Sequence, residues 1–176
     1  MRRIFKHKTI VLSFTLLILF CGCASEWQKY NNREYGFSLL LPSSWEKKEG
    51  AMKSVLMVLA PVQKKSAAKG RPNINIFVTE LPEEVKLDVI FELNKEELTK
   101  SGIMMDKFTE GEIYAGTLAG KWLSFEGLMQ DYRLKIMSAI WVKGRKVYTI
   151  TCSSMSEEFN EYSPVFNKIM RSLRVK

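Results

Sequence analysis

Histidine is almost missing from this 176-residue sequence: the single one, His7, sits in a leading segment that is read below as removed. Ser-His, Cys-His and His-ligated metal mechanisms all need an imidazole nitrogen as base or ligand, so the remaining chain has no residue for them. Cysteine is nearly as scarce, with Cys21, Cys23 and Cys152 the only three. With 10 glycines and 5 prolines there is no collagen-like or low-complexity tract, and 46% hydrophobic with 26% charged residues fits one globular domain rather than disorder. A long apolar run is absent too. The uncharged stretch from Thr9 to Phe20 is twelve residues, short of the about 20 needed to cross the hydrocarbon core.

What that stretch offers instead is an address. Arg2, Arg3, Lys6 and Lys8 precede it, and a positive start followed by a short apolar segment reads as a signal peptide, residues 1–22. The following Leu19-Phe20-Cys21-Gly22-Cys23-Ala24 resembles the lipobox of bacterial lipoproteins, in which a small residue precedes the cysteine that is acylated and becomes the new N-terminus. Cys23, preceded by Gly22, is the expected lipidation site, whereas Cys21 follows the bulky Phe20. Phe20 itself departs from the aliphatic residue usual at its position. The resemblance implies a palmitate-type anchor on Cys23, with each buried methylene contributing roughly 0.8 kcal/mol to membrane attachment. It places the protein in the cell envelope, facing outside the cytoplasm. Ala24, not aspartate, follows the cysteine, which implies the outer membrane in a cell that has two.

Loss of 1–22 changes the charge balance. Four of 27 basic side chains leave and no acid does, so 23 face 19 Asp plus Glu and the net charge falls from +8 to +4. Without a basic face or a recognisable motif, no nucleic-acid partner is expected. Cys152 remains alone once Cys21 is cleaved off and Cys23 is acylated, so no intrachain disulfide forms.

The expected organisation is a lipidated cysteine and tether over 23–33 and one globular domain over 34–176. Residues 27–30 and Tyr35-Gly36-Phe37-Ser38-Leu39-Leu40-Leu41-Pro42 read as the arms of a hairpin, with Asn31-Asn32-Arg33-Glu34 as its turn. Residues 55–61 form a further apolar run. Ile74, Ile76 and Val78 alternate with polar neighbours, the period of a strand with one buried face. A helix is expected from about Glu83 to Lys100, carrying Leu87, Ile90, Phe91 and Leu98 on one side. Four more strands follow between Lys107 and Met155, divided at residues 114–116, 130–131 and 143–146, and such short turns imply antiparallel neighbours. Phe159, Tyr162, Phe166, Ile169 or Met170, and Leu173 mark a second amphipathic helix. Pro164 fits a helix whose first turn starts there, with Ser163 as cap and 157–162 as a preceding turn.

Tyr35-Gly36-Phe37 leading through Pro42 to Trp45, and Gly144 followed by Val147-Tyr148-Thr149-Ile150-Thr151 and then Phe166, Ile169, Ser172 and Leu173, resemble the two ends of PsbP-like domains. The resemblance covers most of residues 27–175 and rests on strand, turn and packing residues. It implies an α+β fold in which an antiparallel β-sheet is flanked by helices on both sides, an α/β/α sandwich. Members of that superfamily include extrinsic photosystem II subunits, a nuclear-import factor that binds a Ran-type GTPase, and many bacterial lipoproteins. Their common character implies docking rather than catalysis, although a fold alone does not fix a function.

Each candidate site has a plainer competing explanation. Cys152 alternates with Ile150 and Tyr148, which makes it a buried core thiol sooner than a nucleophile. Ser43 and Ser44 near Lys47 and Lys48 read as turn residues after a proline. Glu80, Glu83, Glu84 and Asp88 lack the glycine-punctuated loop of a calcium site, so helix-terminal charge explains them better. The methionines, Met104-Met105 among them, show no repeated Met-x-x-Met pattern for copper(I). No metal or cofactor is expected. The basic loop carrying Lys64, Lys65, Lys69 and Arg71 is a candidate contact for anionic lipid or a polyanionic envelope polymer, against a solvated loop. Trp141, with Met137 beside it, forms a contact patch if it stands on the wet face of its strand. The combined reading is a noncatalytic, membrane-anchored lipoprotein that binds a partner protein or envelope component; a small-ligand carrier is the alternative.

Overall fold

The computed structural model describes residues 26–62, 70–100, 105–129 and 132–176. Cys23 and the loop lysines Lys64, Lys65 and Lys69 lie outside these residues. Among the described residues, two antiparallel sheets and two α-helices make up the fold. Strands β1 (Trp27–Asn32), β2 (Phe37–Pro42) and β10 (Arg174–Val175) form a small sheet in the order β1-β2-β10. A seven-stranded sheet is built from β3 (Glu46–Glu49), β4 (Leu56–Leu59), β5 (Asn73–Glu80), β6 (Met105–Ala115), β7 (Leu118–Met129), β8 (Tyr132–Lys143) and β9 (Lys146–Met155). Its order is β3-β4-β5-β9-β8-β7-β6. Helix α1 (Leu87–Lys100) lies between β5 and β6 in sequence, and α2 (Phe159–Arg171) follows β9.

Local chemistry sets the long meander. β6 and β7 are joined through Gly116-Thr117, and β8 and β9 through Gly144-Arg145, with both glycines at positive φ of 66° and 57°. Two-residue hairpin turns need that left-handed backbone, which a side chain resists. Alternation then sorts side chains onto two covered faces. On one, Ile74, Ile76, Ala139, Tyr148, Ile150 and Cys152 pack under β2 and α2, which contribute Phe37, Leu39, Leu41, Phe166, Ile169 and Met170. On the other, Leu123, Phe125, Ile140 and Val147 meet Phe91 of α1. Complete burial of a residue such as Phe166 stabilises by roughly 1.5–3 kcal/mol, so α2 is held chiefly by its aromatic face.

Four expectations change. β1 occupies 27–32, so the fold begins inside the stretch assigned to a tether over 23–33, because Trp27 and Tyr30 pack against the core and the whole strand pairs with β2. The first helix starts at Leu87 rather than Glu83. The second starts at Phe159, with Pro164 inside it rather than at its first turn. The buried rings of Phe159, Tyr162 and Phe166 require one continuous helix, and the amide that Pro164 lacks would have served the carbonyl of Asn160 at an exposed position. Finally, Trp141 is fully buried and Met137 is only 7% exposed, so they form no surface patch. β8 is a central strand with both faces covered, and its residues from Met137 to Trp141 are buried on both parities, Met137 showing only its edge to a cleft beside α2.

Candidate functional site

Where the sheet extends beyond α2, a cleft of about 280 Å³ opens between the helix and strands β6 to β8. Its helical wall has a simple origin. Phe159, Ser163, Asn167 and Arg171 recur at every fourth position and therefore stand in one row along α2. The opposite wall follows strand alternation: Thr109 and Ile113 come from β6, Trp122 and Ser124 from β7, and Lys135 and Met137 from β8.

Trp122 takes its position from Gly111, its register partner across β6 and β7. The indole lies so close to that backbone that a Cβ on Gly111 would come within 2.9 Å of Nε1. Aromatic surface at the cleft is completed by Phe159, and Lys135 Nζ stands 5.0 Å from the centroid of its ring, within cation–π range.

The charges around the cleft are unevenly matched. Glu126, in β7 directly across from Lys135 of β8, is only 7% exposed. Its carboxylate pairs with Lys107 at 3.0 Å and with Arg133 at 3.5 Å. The Lys107 hydrogen bond, helped by Arg133, holds the Glu126 carboxyl below the usual carboxylate range despite its partial desolvation. Two cations at the cleft, Lys135 and Arg171, form no ion pair among the described residues. The Thr109 and Ser163 hydroxyls are likewise without a hydrogen-bond partner among the described residues, while Ser124 Oγ donates to the Ile136 carbonyl at 2.9 Å. These groups can donate to an anion or to hydroxyls; none is an activated nucleophile.

A second groove, of about 570 Å³, lies on the sheet face not covered by α2 and is lined by Met52, Met57, Leu59 and Met155. Along its floor, Asn75 Nδ2 donates to Asn73 Oδ1 at 3.0 Å, and Ser153 Oγ donates to the same oxygen at 3.1 Å. These side chains pair with one another, save Asn75 Oδ1, which is buried without a hydrogen-bond partner among the described residues. At its border, Arg71 bonds Glu46 at 2.6 Å and donates from Nε to the Ala60 carbonyl at 2.7 Å. Arg71, a member of the candidate contact loop, uses its guanidinium to fasten the end of that loop to β3 and to the residue after β4.

The remaining candidates are dispersed. Cys152 is fully buried, and burial pushes its thiol well above the ordinary value, which is the opposite of nucleophile activation. Ser43 and Ser44 lie in an exposed turn, and Lys48 pairs with Glu46 at 3.3 Å. Glu80 is paired with Arg145 at 2.8 Å and Asp88 with Lys121 at 2.6 Å. The cleft itself escaped the sequence reading, although the four-residue spacing from Phe159 to Arg171 was present there.

This arrangement of sheets and helices has solved counterparts. Cyanobacterial PsbP (CyanoP) from Synechocystis superposes with a TM-score of 0.64 over 89% of this chain and 97% of its own, at 14% identity. The fold is PsbP-like. LpqN of Mycobacterium tuberculosis, described as involved in cell envelope biogenesis, gives a TM-score of 0.66 over 85% of this chain and 91% of its own, at 12% identity. The Ran-binding protein Mog1p of Saccharomyces cerevisiae gives 0.55 over 85% and 95%, at 10% identity. No family model matches the sequence, and no curated protein does. At these identities the likeness establishes the PsbP-like fold and leaves the activity to be argued from the cleft.

Proposed function

We propose that this chain is an extracytoplasmic lipoprotein, anchored through Cys23, whose PsbP-like domain acts without catalysis by binding a component of the cell envelope. The observation that carries the binding reading is the cleft beside α2, where Lys135 and Arg171 lack carboxylate partners among the described residues and line the same cleft as Trp122 and Phe159. Unpaired cations next to aromatic surface are recognition groups. The description of LpqN as an envelope biogenesis protein and of Mog1p as a binding protein agrees with this reading. The cleft is open to solvent, which suits part of a larger partner better than the enclosed pocket of a small-ligand carrier.

The anchor rests on the sequence alone. Among the described residues no helix is long and apolar enough to cross a membrane. With lipid on Cys23, three residues would separate the anchor from Trp27, the first residue of β1. A fully extended chain spans at most about 3.6 Å per residue, so the domain would stay within roughly 15 Å of the bilayer surface. The basic loop containing Lys64, Lys65 and Lys69 then becomes a second contact for anionic headgroups or polymer.

Two measurements test the proposal. Cells fed an alkyne-bearing palmitate should label the wild-type protein and not its Cys23→Ser form, which should also leave the membrane fraction; equal labelling defeats the anchor. Crosslinking in cells followed by affinity capture should retain a reproducible envelope component, and less of it for Cys23→Ser because the tether supplies effective concentration. A capture indistinguishable from an unrelated lipoprotein defeats the binding role.

A further inference from the structure

The cleft beside α2 also specifies the chemistry of what it holds. Lys135 enters from β8 and Arg171 from the last turn of α2, so two cations flank the cleft from opposite walls. The acid nearest to Lys135 in register, Glu126, already has Lys107 and Arg133 as partners. Among the described residues both cleft cations are therefore without an acidic partner and open to an anionic group, and an arginine can grip a carboxylate or phosphate through two parallel hydrogen bonds. The same cleft is lined by the indole of Trp122 and the ring of Phe159, over which Lys135 stands, together with Met137 and Ile113. Thr109, Ser163 and Asn167 add hydrogen-bonding groups around that apolar floor. An inorganic anion would use the cations and leave the aromatic surface bare; a fatty acid would leave the Thr109 and Ser163 hydroxyls unmatched, the Asn167 amide already donating to the Ser163 carbonyl at 2.9 Å. A sugar ring with an acidic substituent uses all three, because one edge of the ring bears hydroxyls, its C–H face packs on an aromatic plane, and its carboxylate or phosphate meets one of the two cations, which stand at opposite ends of the row along α2. The volume of about 280 Å³ is near the lower end of small-ligand sites, which run from roughly 300 Å³ upward.

We propose that this cleft binds an acidic sugar unit, a pyranose bearing a carboxylate or phosphate, presented by an envelope polymer or by a glycolipid headgroup. The inference rests on the binding reading above and narrows it to one ligand chemistry.

The test is titration of the full-length protein in neutral detergent micelles, followed by calorimetry and by tryptophan fluorescence. Glucuronate and glucose 6-phosphate are the probes, with glucose and inorganic phosphate as the two halves of the chemistry. At least one acidic sugar should bind saturably and about tenfold or more tighter than either half, the discrimination expected when a charged hydrogen bond is gained. Arg171→Gln or Lys135→Gln, whichever removes the cation that meets the acid, should weaken it by about tenfold; Arg171→Gln should leave Tm nearly unchanged, whereas Lys135→Gln also gives up the cation–π contact with Phe159 and lowers Tm slightly. Trp122→Phe should remove the fluorescence response. Acidic sugars that bind no better than glucose, or phosphate that binds equally well, would overturn the proposal. So would an affinity unchanged in both charge variants. A glucuronate tetrasaccharide and micelles doped with a glucuronosyl diacylglycerol form separate arms: preference for the first identifies a polymer, for the second a headgroup, and either supports the site. If neither sugar binds while an envelope protein is still captured in cells, the sugar proposal fails and the binding role stands.

Discussion

Trp141 lies against Gly120, its register partner across β7 and β8, so closely that the strand has room for hydrogen alone at that position. A Cβ there would come within 2.5 Å of the indole Nε1 and 2.7 Å of the Ile140 carbonyl oxygen. The same device recurs one strand over, where Gly111 receives Trp122, but that indole is only partly buried and can tilt toward the cleft. Gly120→Ala should therefore destabilise by about 1–3 kcal/mol, the usual cost of overpacking, and Gly111→Ala by less. Urea denaturation of the two variants decides it. Equal losses would mean that Trp122 is held as rigidly as Trp141. Because Trp122 lines the cleft, Gly111→Ala should also alter ligand affinity where Gly120→Ala changes only stability.

Glu126 makes the fold sensitive to acid. Its folded pKa is lowered, first by the hydrogen bond from Lys107, so the unfolded chain takes up a proton at higher pH than the native one. The resulting stabilisation is fully present above the unfolded carboxylate value, about 4.3, and disappears as pH falls through the folded value. Glu46, lowered by the hydrogen bond from Arg71, acts in the same direction. Urea midpoints measured from pH 7 down to pH 3 should fall less steeply for Glu126→Gln than for the wild type. Parallel curves would remove Glu126 from the acid response.

The legible and illegible parts of the chain divide along a physical line. β7 to β9 are legible because each carries buried apolar residues along its length and a short polar or glycine turn stands beside it, as at Gly144-Arg145, whereas β6 is buried only at Ile113 and Ala115 and is marked mainly by the turn at Gly116-Thr117. β3 is not legible. Its Glu-Lys-Lys-Glu sequence is exposed throughout, and it is a strand only because its backbone pairs with β4. β10 is two residues long and depends on β2 in the same way. Trp141 misled because alternation gives the parity of a strand, not whether the second face is covered; α1 and α2 together cover both. The cleft residues Ser163, Asn167 and Arg171 read locally as the wet side of α2. Only the placement of β6 to β8 beside them turns that row into one wall of a site.

Cys152 should behave as a core residue in chemistry as well as in packing. In a form with Cys21 and Cys23 replaced by serine, native protein should react with Ellman's reagent far more slowly than the same protein in denaturant, because burial both blocks access and disfavours the thiolate. Cys152→Ser should destabilise by about 1–3 kcal/mol, since a hydroxyl at the same place brings a polar group among Ile74, Ile150 and Phe166. Rapid labelling of the native thiol at neutral pH would reverse this assignment and give the chain a reactive group.

Pro164 provides the last test, because a proline at the sixth position of α2 works against the helix that forms one wall of the cleft. A proline in a helix interior costs about 3 kcal/mol relative to alanine through the lost amide and the clash with the preceding turn. Pro164 is exposed, so alanine there disturbs no core contact, and Asn160 regains a donor for its carbonyl. Part of the gain is offset because proline also restricts the unfolded chain. The expected outcome is a net stabilisation of about 1–2 kcal/mol, read as a higher urea midpoint with an unchanged denaturant slope. A loss of stability would show instead that the proline sets the bend by which Phe159 and Phe166 reach the same core. In that case the row from Phe159 to Arg171 should shift with it, and Pro164→Ala would weaken binding at the cleft even though it touches none of the groups there.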